Sequence, residues 1–162
     1  MWKWLIIGAH NALQGSMVCA LSGSAGIGAL EAKLQAAMLE HLQSDTGERP
    51  RERLAPFPVL LKWVRDTQRM AEFGGEPLTL TEAERKDLAS LNTFRNKFVH
   101  FTPAGWSLES AGLPRIVLTA LDKAEHLMLN HPGARRRLTD RQVQEIEVNA
   151  GIARAVLSRV EQ

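Results

Sequence analysis

The sequence predicts an all-α fold, an up-and-down bundle of five or six helices in a single domain spanning residues 1–162, on three observations. Apolar residues recur every three or four positions almost throughout. No stretch shows the alternation of a half-buried strand. Two capping boxes, Thr81-Glu82-Ala83-Glu84 and Thr139-Asp140-Arg141-Gln142, mark helix starts. In each, the threonine hydroxyl and the side chain three residues on satisfy backbone donors that a helix start leaves unpaired. At 162 residues the chain is long enough to bury a proper core.

The first helix is expected from about Trp2 to Leu21, stopping at Ser22-Gly23. Its start is apolar around Lys3, but His10, Asn11 and Gln14 interrupt the run well short of a membrane span. That predicts a buried amphipathic helix rather than a secretory signal, and no transmembrane segment follows. A second helix should cover about Ile27 to Gln43, with Leu30, Leu34, Ala37, Met38 and Leu42 at helical spacing. Ser44 to Pro56, rich in charge and proline, reads as an exposed loop. The third helix is expected from Phe57 to Phe73, ending at Gly74-Gly75. The fourth begins at the Thr81 box and is closed by Pro103, which pushes Thr102 towards an extended conformation. A loop with Gly105 and Trp106 leads to a fifth helix, with Pro114 at its tolerated first position and its end near His131-Pro132-Gly133. The last helix sets Val143, Ile146, Ala150, Ala153, Leu157 and Val160 in a narrow stripe. Such a stripe suits packing on one helix, in this subunit or in another.

Composition narrows the function classes. A net charge of +2 permits nucleic-acid binding without arguing for it, because steering depends on where charge clusters. Cys19 is alone, so an intramolecular disulfide and a thiolate metal site are excluded, which suits a reducing cytosol and predicts a cytoplasmic location. With no tyrosine and few other aromatics, a stacking platform for single strands is poorly supplied. Asp122, Glu125, His126 and His131 lie close in sequence but match no zinc pattern, and no cofactor motif is present. Gly23 to Gly28 follows a helix and lacks the lysine-serine ending of a phosphate loop, so it reads as a turn.

The chemistry concentrates in the fourth helix. Advancing each residue by about 100° puts Leu88, Leu91, Phe94, Phe98 and Phe101 on one core face. Asn92, Asn96 and His100 form a polar stripe at its side, bordered by Arg95 and Val99, with no acid among them. Arginine offers a fork of donors suited to phosphate, and histidine exchanges a proton near neutral pH. Arg95 and His100 with Asn96 are therefore the candidate catalytic residues, and Asn92 and Lys97 are candidate RNA contacts. A structural reading stands beside this one, with Arg95 paired to a carboxylate of another helix and His100 capping its own helix. His10, Asn11 and Gln14 either line the same groove or make helix-to-helix hydrogen bonds. Arg135, Arg136 and Arg137, with Arg141 nearby, form the strongest basic cluster, to be read as an RNA-backbone contact or as a solvated turn.

Arg95-Asn96-Lys97-Phe98-Val99-His100 resembles the signature of the HEPN superfamily, an arginine and a histidine four to six residues apart with a polar residue after the arginine. The likeness extends from Trp2 to Leu21 and from Leu91 to Ser107 towards a group of bacterial HEPN-like proteins. It covers roughly residues 1–130, leaving 138–162 as an extension helix. The resemblance implies an up-and-down bundle, a homodimer with both motifs in one composite site, and metal-independent cleavage of RNA without a cofactor. Family members serve as toxins paired with antitoxins, as defence effectors, or as non-catalytic partners of nucleotidyltransferase-like proteins. DNA should be spared, because the nucleophile is the 2′-hydroxyl.

Overall fold

The computed structural model describes residues 2–44, 48–100 and 112–160. Among these the chain is all-helical, with eight helices: α1 Trp2–Leu21, α2 Ala32–Ser44, α3 Phe57–Trp63, α4 Thr67–Glu72, α5 Glu82–Val99, α6 Leu113–Asn130, α7 Pro132–Arg135 and α8 Asp140–Val160. The expected count of five or six is too low for a local reason. Asp66 accepts a hydrogen bond from the Arg69 amide at 2.8 Å and caps a new helix, so the expected third helix divides into α3 and α4. Pro132 likewise opens the single turn α7, where His131 Nδ1 accepts from the Gly133 amide at 3.2 Å.

α2 also starts later than expected. Leu30 forms an antiparallel bridge with Leu54, and the Ala55 amide donates to the Ala29 carbonyl at 2.9 Å. That pairing draws Ala29 to Glu31 out of the helix and ties down one end of the expected exposed loop, burying Ala55. Phe101, the Pro103 stop and the Gly105–Trp106 loop lie outside the described residues.

α1 and α6 form the centre, with α5 and α8 packed against α6. α1 is long and apolar enough to cross a membrane, by length and composition alone. In the bundle its Ile6, Ala9, Leu13, Met17 and Leu21 belong to the core, with Leu60 and Val64 of the α3 region, Leu88 and Leu91 of α5, and Val117, Ala120 and Leu127 of α6. Two cross-links set α5 antiparallel to α6. Lys123 meets Glu84 at 2.7 Å, and the buried Asp87 receives Arg115 (2.9 Å) and the Thr119 hydroxyl (3.3 Å). α8 packs its Val143–Ile146–Ala150–Ala153–Leu157 row inward, and Arg154 pairs with Asp122 and Glu125 of α6. Val160, expected on that row, is exposed.

Both capping boxes form. Thr81 caps α5, its hydroxyl accepting from the Glu84 amide while the Glu84 carboxylate accepts from the Thr81 amide. Thr139 and Gln142 do the same for α8. Thr81→Ala should cost about 1 kcal/mol, a drop of roughly 2–4 °C in a domain of this size. Thermal melts check it, and an unchanged midpoint would show that the box contributes nothing.

Candidate functional site

α5 presents its polar stripe beside α1 and the start of α3, where a pocket of about 410 Å³ opens. α1 contributes His10 and Gln14, α5 contributes Asn92, Arg95 and Asn96, and Pro56, Phe57 and Pro58 form the remaining wall. The volume lies within the range of small-ligand sites. The structure thus brings three of the expected residues together with two that the sequence offered as alternatives.

Arg95 is half-buried, and its Nη1 donates to Asn96 Oδ1 at 3.1 Å. Its Nε is buried without a hydrogen-bond partner, and among the described residues the guanidinium meets no carboxylate. The ion-pair alternative for Arg95 is therefore not seen there.

His10 is buried, its ring stacked on Phe57 at 4.3 Å between centroids and 26° between planes. Its Nε2 lies 3.2 Å from Asn92 Oδ1, while Nδ1 is buried and unpartnered. Both readings offered for this histidine hold together, since it bonds helix to helix and lines the groove. Burial holds its pKa below the ordinary value of 6.5. The Asn92 hydrogen bond acts upward, the Arg95 charge downward again, and Asn11 upward. Burial, followed by the charge of Arg136, lowers His131 as well.

Both histidines are consequently neutral in the folded protein near neutral pH and bind a proton more readily when unfolded. Their contribution to stability is full above about pH 6.5 and is lost as pH falls from there through the depressed native values. Melting temperature should therefore fall between about pH 7 and pH 5. A flat or rising profile across that interval would contradict the burial of these rings.

His100 stands apart from the pocket. It caps α5, its amide donating to the Asn96 carbonyl at 2.9 Å, and its side chain is exposed. Five residues of helix turn its direction by about 140° from that of Arg95. Within one protomer the two face different ways. Lys97 is exposed in the last turn of α5 and does not line the pocket.

The arginine cluster lies elsewhere, at the α6–α8 connection, and is committed to its own chain. Arg135 pairs with Asp140 at 3.7 Å, Arg136 Nε donates to the Pro132 carbonyl at 3.1 Å, and Arg137 donates to the Gly23 carbonyl. Arg136 and Arg137 line a separate cavity with Gly23, Ser24 and Phe73. Among the described residues, no group of three or more His, Cys, Asp or Glu side chains is arranged to hold a metal ion.

The pocket's apolar wall was not expected. Nothing in the spacing around Phe57 signals contact with residues 10 or 92, which meet it only through the packing of α1, α3 and α5. Compared with protein-family models, curated proteins and solved structures, the chain matches none.

Proposed function

We propose that this chain is a metal-independent endoribonuclease of the HEPN type, whose active site is assembled from two copies of the chain. The observation that carries the reading is the guanidinium of Arg95, set in an open pocket among amide side chains and meeting no acid among the described residues. Such a fork suits the non-bridging oxygens of a phosphodiester. Within one protomer His100 lies outside the pocket that holds Arg95, so this reading requires a second copy of the chain to bring an imidazole to that pocket.

In this scheme the 2′-hydroxyl of RNA attacks the neighbouring phosphorus and the bond to the 5′-oxygen breaks. Arg95 stabilises the charge that builds on the phosphoryl oxygens. Asn96, bonded to the guanidinium, keeps it oriented, and Asn92 borders the same strand. His100 of the partner subunit exchanges a proton with the reacting oxygens. The products are a 2′,3′-cyclic phosphate and a 5′-hydroxyl. The setting is the reducing cytosol, with an antitoxin or a nucleotidyltransferase-like protein as a further partner.

A second reading, a non-catalytic dimeric module that binds a nucleotide, is favoured by one observation: the pocket holding Arg95 does not contain His100. RNA cleavage in the presence of a chelator separates the two. The wild type should cut RNA and leave DNA, and His100→Ala should not cut RNA. Equal, background-level traces from both proteins would overturn the ribonuclease reading in favour of the binding module.

A further inference from the structure

The Arg95 pocket is lined by two residues that each carry a buried nitrogen making no hydrogen bond of ordinary geometry among the described residues, Nδ1 of His10 and Nε of Arg95. Buried polar atoms are nearly always hydrogen-bonded, so a pair of exceptions in one pocket calls for a ligand or a catalytic role. Their chemical senses differ. Asn92 turns its amide oxygen to His10 Nε2, and an amide oxygen only accepts, so Nε2 carries the proton and Nδ1 the lone pair. Arg95 Nε only donates. The pocket therefore offers an acceptor and a donor fork within one protomer.

A phosphate ester with a hydroxyl on the neighbouring carbon satisfies both. Its phosphoryl oxygens accept from Arg95, and its hydroxyl donates to His10. In RNA that hydroxyl is the 2′-OH beside the 3′-phosphate. We infer that His10 completes the Arg95 pocket as the acceptor for a ribonucleotide 2′-hydroxyl and takes its proton during cleavage.

This rests on the ribonuclease reading and divides the labour between two imidazoles. The 2′-O–H bond breaks and its proton moves to His10 Nδ1, the 2′-oxygen bonds to phosphorus, and the bond to the 5′-oxygen breaks. The leaving oxygen takes its proton from the imidazole of His100 of the partner subunit. Three features fit the assignment. His10 is 1% exposed and backed by Phe57, so its ring is held in one orientation. Burial and Arg95 keep it neutral and able to accept. The phosphate that enters offsets the charge of Arg95 when the imidazolium forms. Gln14 lines the pocket without a side-chain hydrogen bond among the described residues.

Calorimetric titration with uridine 3′-monophosphate and with its 2′-deoxy counterpart tests the subsite. The wild type should bind the ribonucleotide about tenfold more tightly, the discrimination expected when a buried acceptor is otherwise left unpaired. His10→Phe keeps a ring against Phe57 and should bring the ratio to about one, while Arg95→Ala weakens both ligands alike. His10→Gln, a second variant whose folding circular dichroism confirms, should lower RNA cleavage about 10²-fold while RNA binding persists. Equal binding of the two ligands by the wild type, or a ratio that survives in His10→Phe, overturns the inference. Ribonucleotide preference without RNA cleavage supports the subsite and sinks the ribonuclease reading. Cleavage without that preference sinks the subsite alone.

Discussion

Arg95→Ala should lower RNA cleavage by about 10²–10³-fold, the usual consequence of removing one donor that meets charge developing in the transition state. The fold should survive. Among the described residues the guanidinium makes one side-chain hydrogen bond, to Asn96 of its own helix, and leaves Nε unpaired, so truncation breaks no inter-helix ion pair seen there. Stability should change by no more than about 1 kcal/mol, mostly through lost packing of the side-chain stem. Arg95→Lys should recover little, because a single ammonium does not reproduce the planar fork. Cleavage assays in chelator, paired with thermal melts, separate these effects. A variant that cuts RNA at the wild-type rate would remove Arg95 from the chemistry.

Gly28→Ala should be strongly destabilising. A β-carbon there would stand 2.0 Å from the Leu21 carbonyl oxygen and 2.5 Å from Phe73 Cζ. The carbonyl oxygen is backbone and gives way only if the chain itself moves. The Gly28 carbonyl also accepts from Gln35 Nε2 at 3.2 Å and Arg69 Nη2 at 2.9 Å, while the Arg69 guanidinium lies 3.8 Å from the Trp63 ring centre. Shifting Gly28 therefore disturbs the knot joining the end of α1 to α2, α3 and α4. A cost of about 3 kcal/mol or more is expected, a large part of the margin of a domain this size. Gly151→Ala makes the contrast: it is exposed within α8 with nothing within 4 Å of the added carbon. That change should stabilise by up to about 1 kcal/mol through helix propensity alone. Urea unfolding of both variants checks the pair, and equal midpoints would contradict the close approach at Gly28.

The features readable from residue order were those set by local physics. The limits of α1, the Thr81 and Thr139 caps and the polar side of α5 depend on neighbours within about one or two turns, and spacing reports such neighbours directly. The break at Asp66 is also local but carries no distinct signal, because an aspartate among Arg65, Thr67 and Gln68 reads equally as one more exposed polar residue. Contacts across the chain were beyond reach. Asp87 lies one position from Leu88 and is buried only because Arg115 and Thr119 reach it from α6. The meeting of His10 with Asn92 and Phe57 depends on how three helices pack, so the order of residues left the role of His10 open between a groove and a helix contact.

Subunit complementation reaches the central claim most directly. Arg95→Ala and His100→Ala chains, co-expressed under different tags and purified through both, give a dimer holding one intact arginine and one intact histidine on separate protomers. If the bond is cut between two copies of the chain, this mixed dimer should cleave RNA where each single variant alone does not. A mixed dimer as inactive as its parents would contradict a shared site.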